Sequence, residues 1–410
     1  MSLYTLVTLL LCLAVLSGYL NYRLLKLPSG IGATLVAIFI GFLALAAESL
    51  WPECPLTIHL KKVVQDIEFE EAVLHWMLGF LLFAGALHVE LDTLLKRLRS
   101  ILSLATLGVF LSTTIIGFSL YFLAKIFGLH LPILWALLFG ALISPTDPVA
   151  VLATLRKAGV SKETEIVIVG ESLLNDGVAV VIFLALLEML KTQAGIDVFH
   201  ILVFLVQECF GGLVLGALLG FLAFLLLKDV DDYELEVLIT VALVMLCFSL
   251  AEKFHLSGPL AVVAAGLLIG NHGRRLAMSP KTIEHIDTFW RLVDSLLNAV
   301  LFLLIGLEIL VINQFNLFLA LASIFLVLCG RFLSVSVSMA IAKPLKSLSF
   351  QKILFFTWCG LKGGIAVALA FSLPEHPLKS TLLSLTYFNV VFSVIGQGLT
   401  LKTLAQRLKF

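Results

Sequence analysis

The chain has 410 residues, 60% of them hydrophobic and only 13% charged, with a formal net charge of zero and a mean hydropathy of +1.11. Soluble domains carry roughly 25% charged residues, so a string of soluble domains is excluded, and zero net charge offers nucleic acid no attracting field. Apolar segments recur from end to end, each long enough to cross a hydrocarbon core of about 30 Å, the pattern of an all-α polytopic membrane protein and not of a β-barrel.

The first apolar run, MSLYTLVTLLLCLAVLSGYLNYRLLK, carries its charges, Arg23 and Lys26, after the apolar residues. That order predicts a retained first helix and not a cleaved signal peptide. Breaks at proline, glycine and charge clusters divide the chain into about thirteen candidate transmembrane spans: 2–25, 28–48, 71–91, 100–126, 132–155, 162–188, 199–227, 232–253, 256–272, 284–311, 314–342, 350–373 and 379–404. The stretch 49–70, SLWPECPLTIHLKKVVQDIEFE, reads as a loop of mixed charge. Of six cysteines only Cys54 lies in a loop; none shows metal-ligand spacing, and they read as small apolar fillers.

Lys and Arg set the expected orientation. With the N-terminus outside, eighteen basic residues fall on the inner side and six on the outer, and Arg291, Arg331 and Lys362 lie within spans. N-out, C-in and an odd number of spans follow.

Two spans are interrupted at their middle. The fifth reads LPILWALLFGALISPTDPVAVLATLRK, where Pro145 and Pro148 bracket Thr146 and Asp147; each proline removes a donor and disfavours helix before it. The twelfth reads ILFFTWCGLKGGIAVALAFSLP, where Gly360, Gly363 and Gly364 surround Lys362. Unwound backbone at membrane depth survives only where it is buried in protein or lines a cavity. Seven spans separate the breaks, an odd offset that turns the second copy upside down. The expectation is one transporter unit over 1–410: a six-helix repeat (1–188), a linker helix (199–227) and an inverted six-helix repeat (232–410), with the crossed broken helices at the site. Helix ends meeting at a break present partial charges, which Asp147 and Lys362 can neutralise.

Residues 170–181 read GESLLNDGVAVV in an otherwise oily helix. At 100° per residue Glu171, Ser172, Asn175 and Asp176 share one face, with Leu173 and Leu174 on the other. Charge at the bilayer centre costs about 2.5–3.5 kcal/mol on insertion scales, so carboxylates there point to an ion or proton path. Asp294, Arg291 and Glu308 could line a funnel or pair, Arg331 could serve a partner carboxylate, and His88 and Glu90 read as interfacial. No H-E-x-x-H, G-x-S-x-G or P-loop pattern occurs, so no enzyme is expected.

SPTDPVAV at 144–151, GESLLNDGVAVV at 170–181 and GLKGGIAVALAFSLP at 360–374 resemble the NhaP/NHE-type monovalent cation:proton antiporters, as do LLFAGALHVELDTL at 81–94 and FLLIGLEI at 302–309. The resemblance covers essentially the whole chain. It implies a thirteen-helix homodimer of the NhaA-like fold, embedded in lipid of a bacterial inner membrane. It implies Na⁺ or Li⁺ bound in exchange for a proton at Asp176, with Ser172 and Thr146 completing the oxygen shell. Asn175 would orient the site, and Glu171 would pair with a basic residue of the twelfth span. One departure is Lys362 where the family usually has arginine; another is Gly177, where alanine or proline is common and the difference reads as minor. No cofactor is expected beyond the transported ions. Exchange of Na⁺ (or Li⁺) for H⁺, electroneutral because Asn175 replaces a second carboxylate, is the expected function. A K⁺/H⁺ antiporter of the same fold and a cation channel are the alternatives.

Overall fold

The computed structural model describes residues 3–51, 61–62, 69, 71–147, 149–192, 198–310, 316–342 and 349–408, and among them every regular element is helical. In chain order the main helices are α1 (Leu3–Leu20), α2 (Ser29–Leu50), α3 (Leu78–Leu87), α4 (Gly108–Ile126), α5 (Ile133–Leu142), α6 (Val149–Ala158), α7 (Lys162–Thr192) and α8 (Val198–Asp229). They continue as α9 (Tyr233–Lys253), α10 (Gly258–Leu268), α11 (Pro280–Leu307), α12 (Leu317–Ala342), α13 (Phe350–Cys359), α14 (Gly364–Phe371), α15 (Pro377–Phe392) and α16 (Gly398–Leu408). Most of the expected 49–70 loop, Cys54 included, lies outside the described residues.

Nine helices among the described residues, several extended by a π-helical turn, are long and apolar enough to cross a membrane, and the bent pair α13–α14 adds a tenth. The other three regions read as spans are shorter or broken. The 71–91 region is a π-helical turn, Glu71–Met77, running into α3; the 132–155 region is α5, a break and α6; the 256–272 region is α10 and the turn Ile269–Gly273. Helix starts follow local chemistry. Ser257 and Ser279 accept from the backbone N–H of Leu260 and Thr282, with Pro259 and Pro280 in the first turn, where a missing N–H costs nothing.

α7 is buried along most of its length and forms the centre of the bundle, whereas α1 is largely exposed. α8 turns Phe210, Leu218 and Phe221 outward, as a lipid-facing helix does. Its other face is a small-residue stripe. Gly212, Gly216 and Gly220 lie on Ser257, Ala261 and Ala265 of α10, both series spaced by four. A Cβ on Gly216 would fall 1.9 Å from the Ala261 carbonyl oxygen, so the backbones touch directly. α2 and α11 close in the same way: Thr34 Oγ1 lies 3.3 Å from the Phe302 carbonyl, and Gly306 abuts Ala37.

Gly216→Val is therefore expected to force α8 from α10 and to cost about 1–3 kcal/mol or more. Gly18→Ala, in open space with nothing within 4 Å, should be neutral. Thermal unfolding in detergent, followed by size-exclusion chromatography, separates the two; equal midpoints would show that the seam is not tight.

Candidate ion-binding site

The interruption after α5 leaves Ser144, Pro145, Thr146 and Asp147 non-helical, and the interruption between α13 and α14 bends that pair by 57°. The two breaks touch. The Asp147 N–H donates to the Leu361 carbonyl at 2.7 Å, and the Lys362 N–H donates to Ser393 Oγ at 2.8 Å. Lys362 Nζ donates to the Ser144 and Pro145 carbonyls at 3.1 and 3.3 Å, placing an ammonium at the carbonyl end of α5. Asp147, half-buried, lies against the start of α14: a Cβ on Gly363 would meet its Oδ2 at 2.9 Å. A carboxylate thus stands at a helix N-terminus and an ammonium at a helix C-terminus, the signs each end favours.

α7 brings the GESLLND face to this crossing. Glu171, Ser172, Asn175 and Asp176 are all buried. The Thr146 N–H donates to Asp176 Oδ1 at 3.3 Å, Thr146 Oγ1 and Ser172 Oγ lie 2.9 Å apart, and Ser172 Oγ also donates to the Thr146 carbonyl. Asn175 Nδ2 donates to Thr146 Oγ1 at 2.7 Å and reaches Glu171 Oε1 at 3.4 Å, while its Oδ1 has no hydrogen-bond partner among the described residues. Two hydroxyls, a carbonyl and one carboxylate converge, an oxygen set suited to a hard monovalent cation. Among the described residues no group of three His, Cys, Asp or Glu is placed to hold a metal.

The partner of Glu171 differs from the sequence reading. It is Arg331 of α12, whose Nη2 donates to Glu171 Oε1 at 2.5 Å with both side chains buried. It is not Lys362, which the proline-break carbonyls engage. Arg331 was visible in the sequence as a lone charge in an apolar helix; its partner was not. Gly360 makes the approach possible, because a Cβ there would fall 2.7 Å from Arg331 Nε. Gly177 is also more constrained than its sequence context suggested: a Cβ would lie 2.5 Å from Leu260 Cγ.

A cavity of about 380 Å³ reaches this cluster, lined by His88, Thr146, Asp147, Asp176, Arg291 and Asp294 among others. Arg291 and Asp294 line it without pairing; they bond Thr288 at 3.4 Å and Asn298 at 3.0 Å. His88, read as interfacial, lines the cavity, its Nδ1 held by the Ala84 carbonyl and its Nε2 3.6 Å from Asp287. Glu90 sits at the surface, where its carboxylate pairs with the Lys162 ammonium.

Removing one member of the buried Glu171–Arg331 pair strands the other. Arg331→Leu is expected to cost about 3–5 kcal/mol, and Arg331→Leu with Glu171→Leu to recover most of it. Melting midpoints of the single and double variants in detergent measure this; a double variant no better than Arg331→Leu would deny the pairing an energetic role.

Comparison with known proteins places the chain. The family model described as sodium/hydrogen exchanger, transmembrane, matches residues 9–407. The chain is 41% identical to the Na⁺/H⁺ antiporter NhaP of Pseudomonas aeruginosa over 98% of its own length and 96% of that protein's. It is 35% identical to the Na⁺/H⁺ antiporter NhaH of Halobacillus dabanensis over 94% and 93%. The solved structure of the sodium proton antiporter MjNhaP1 from Methanocaldococcus jannaschii superposes with a TM-score of 0.80 at 23% identity, covering 100% of this chain and 99% of that one, and so shares the fold. The chain belongs to the sodium/hydrogen exchanger family.

Proposed function

We propose that the chain is a secondary antiporter that exchanges Na⁺ (or Li⁺) for H⁺ across a membrane, with Asp176 holding cation and proton in turn. The observation that carries this reading is Asp176 itself, a carboxylate only 2% exposed, at the inner end of a cavity and beside the Thr146 and Ser172 oxygens. A bare carboxylate is disfavoured in a dry barrier, so it holds either a proton or a cation. Either loaded form is locally neutral and can be presented to the other side. Asn175 beside it adds no second charge, which supports one-for-one, electroneutral exchange. The curated relatives are named as Na⁺/H⁺ antiporters, which favours sodium over the K⁺/H⁺ reading and a coupled transporter over a channel or an enzyme.

In this reading Ser172 and Thr146 supply further oxygens to the cation, Asn175 and Glu171 hold the Thr146 segment, and Asp147 and Lys362 stabilise the breaks. The two six-helix halves, 1–188 and 232–410, are related by inversion about the linker 199–227. All thirteen regions cross, with the N-terminus outside, the C-terminus inside and two copies forming a homodimer. A bacterial inner membrane is the compartment, on the strength of the bacterial relatives and the Lys and Arg asymmetry.

A fluorescent pH-gradient assay in inverted vesicles tests the assignment. Wild type is expected to dissipate the gradient on addition of Na⁺ or Li⁺, and Asp176→Asn is expected to lose this entirely; robust cation-dependent proton flux in Asp176→Asn would refute it. Lys362→Arg should retain exchange, since a guanidinium can also donate to the Ser144 and Pro145 carbonyls. Because proton and cation compete, the apparent KM for Na⁺ should rise as pH falls, by up to about tenfold per unit once the protonated form dominates. A KM independent of pH would exclude a shared site.

A further inference from the structure

One face of α11 carries an acid and a leucine, and a second acid caps its C-terminal end. Asp294 and Leu301 are two helical turns apart, about 10 Å along one stripe of α11, and Glu308 follows seven residues after Leu301 at the helix end. Asp294 and Leu301 line the cavity that reaches Asp176; Glu308 does not. Leu301 presses on the second break, since a Cβ on Gly364 would fall 2.3 Å from its Cδ1. Along α11 the cavity lining ends at Leu301, and Glu308 lies farther along the chain, outside it.

There Glu308 is 2% exposed, and its Oε2 has no hydrogen-bond partner among the described residues. Tyr387 of α15 is equally buried, lies within electrostatic reach of Glu308, and its hydroxyl is also unpartnered. An unmade hydrogen bond on a buried polar group costs about 1–3 kcal/mol, and native structures rarely tolerate one without a reason. A pair retained only to hold helices together would bond directly, and this one does not. Both groups are satisfied once the surfaces of α11 and α15 part and water enters. The parts that can separate are defined: α11 is fastened to α2 at Thr34, Ala37 and Gly306, while α15 packs on α14.

We infer that Glu308 and Tyr387 line the second access pathway to Asp176, on the side of Leu301 opposite the open cavity, and that Glu308 draws the monovalent cation in when that side opens. The inference rests on the exchange reading, which requires access from both faces. Asp294 serves the pathway that is open in this structure, and Glu308 serves the one that is closed.

Two measurements test it. In right-side-out and inverted vesicles, Glu308→Gln should raise the apparent KM for Na⁺ about tenfold on the face opposite the cavity, the low end of what a charge in a low-dielectric cleft does to local cation concentration. On the cavity face the KM should stay within about twofold of wild type. Equal changes on both faces, or none on either, would mean a structural role and overturn the inference. Independently of activity, Glu308→Cys is treated with a membrane-impermeant thiol reagent from each face, and mass spectrometry locates the label. Labelling from the opposite face alone is expected; labelling from the cavity face, or from neither, also overturns the inference. Wild type without Na⁺-driven proton flux, by contrast, would defeat the exchange reading itself, and the labelling result would still stand.

Discussion

Everything at the centre of this protein depends on two stretches of unwound backbone being satisfied inside a membrane. A free carbonyl or N–H in hydrocarbon costs several kcal/mol. Here each break serves the other. Lys362 gives its ammonium to the carbonyls of Ser144 and Pro145, Asp147 gives its N–H to Leu361, and the Asp147 carboxylate stands at the start of α14. Each break supplies partners to the other, which is how a proline motif and a glycine motif more than two hundred residues apart form one unit.

That unit leaves Thr146 in non-helical backbone, and this is what lets one residue offer its N–H to Asp176, its carbonyl to Ser172 and its hydroxyl to Asn175. An unbroken helix would spend the first two on its own ladder. The polar face of α7 therefore needs the break as much as the break needs Lys362. Arg331 completes the arrangement from a third direction by neutralising Glu171, so that the carboxylate beside the proposed ion site is already paired.

Around this polar centre the packing is close and directional. Glycine seams lock α8 to α10 and α2 to α11, whereas apolar side chains, Leu301 among them, stand between the open cavity and the buried Glu308. Backbone-close seams on one side and apolar side-chain packing on the other give the bundle a place to yield. A conformational change that alternates access needs such a contrast, since packed interfaces switch between discrete arrangements and do not deform continuously.

Much of this was legible in the chain. Hydropathy determined the all-helical membrane class, because nothing else tolerates such apolar length. Proline and glycine chemistry located the breaks, because those residues forbid or weaken helix whatever surrounds them. Helical periodicity put Glu171, Ser172, Asn175 and Asp176 on one face, because that geometry is local. Partner choice was not legible. Both Lys362 and Arg331 were buried cations able to meet Glu171, and only the crossing angle of the helices and the space left at Gly360 decided that Arg331 does so while Lys362 turns to the carbonyls. That His88, at its helix end, also lines the cavity, and that Gly177 is in close contact with Leu260, was hidden for the same reason, since such neighbours exist only once distant helices are brought together. The sequence by itself determined which residues carry charge into the membrane and where the backbone must break; the tertiary structure decided which charge faces which, because pairing depends on distances between helices that no local rule encodes.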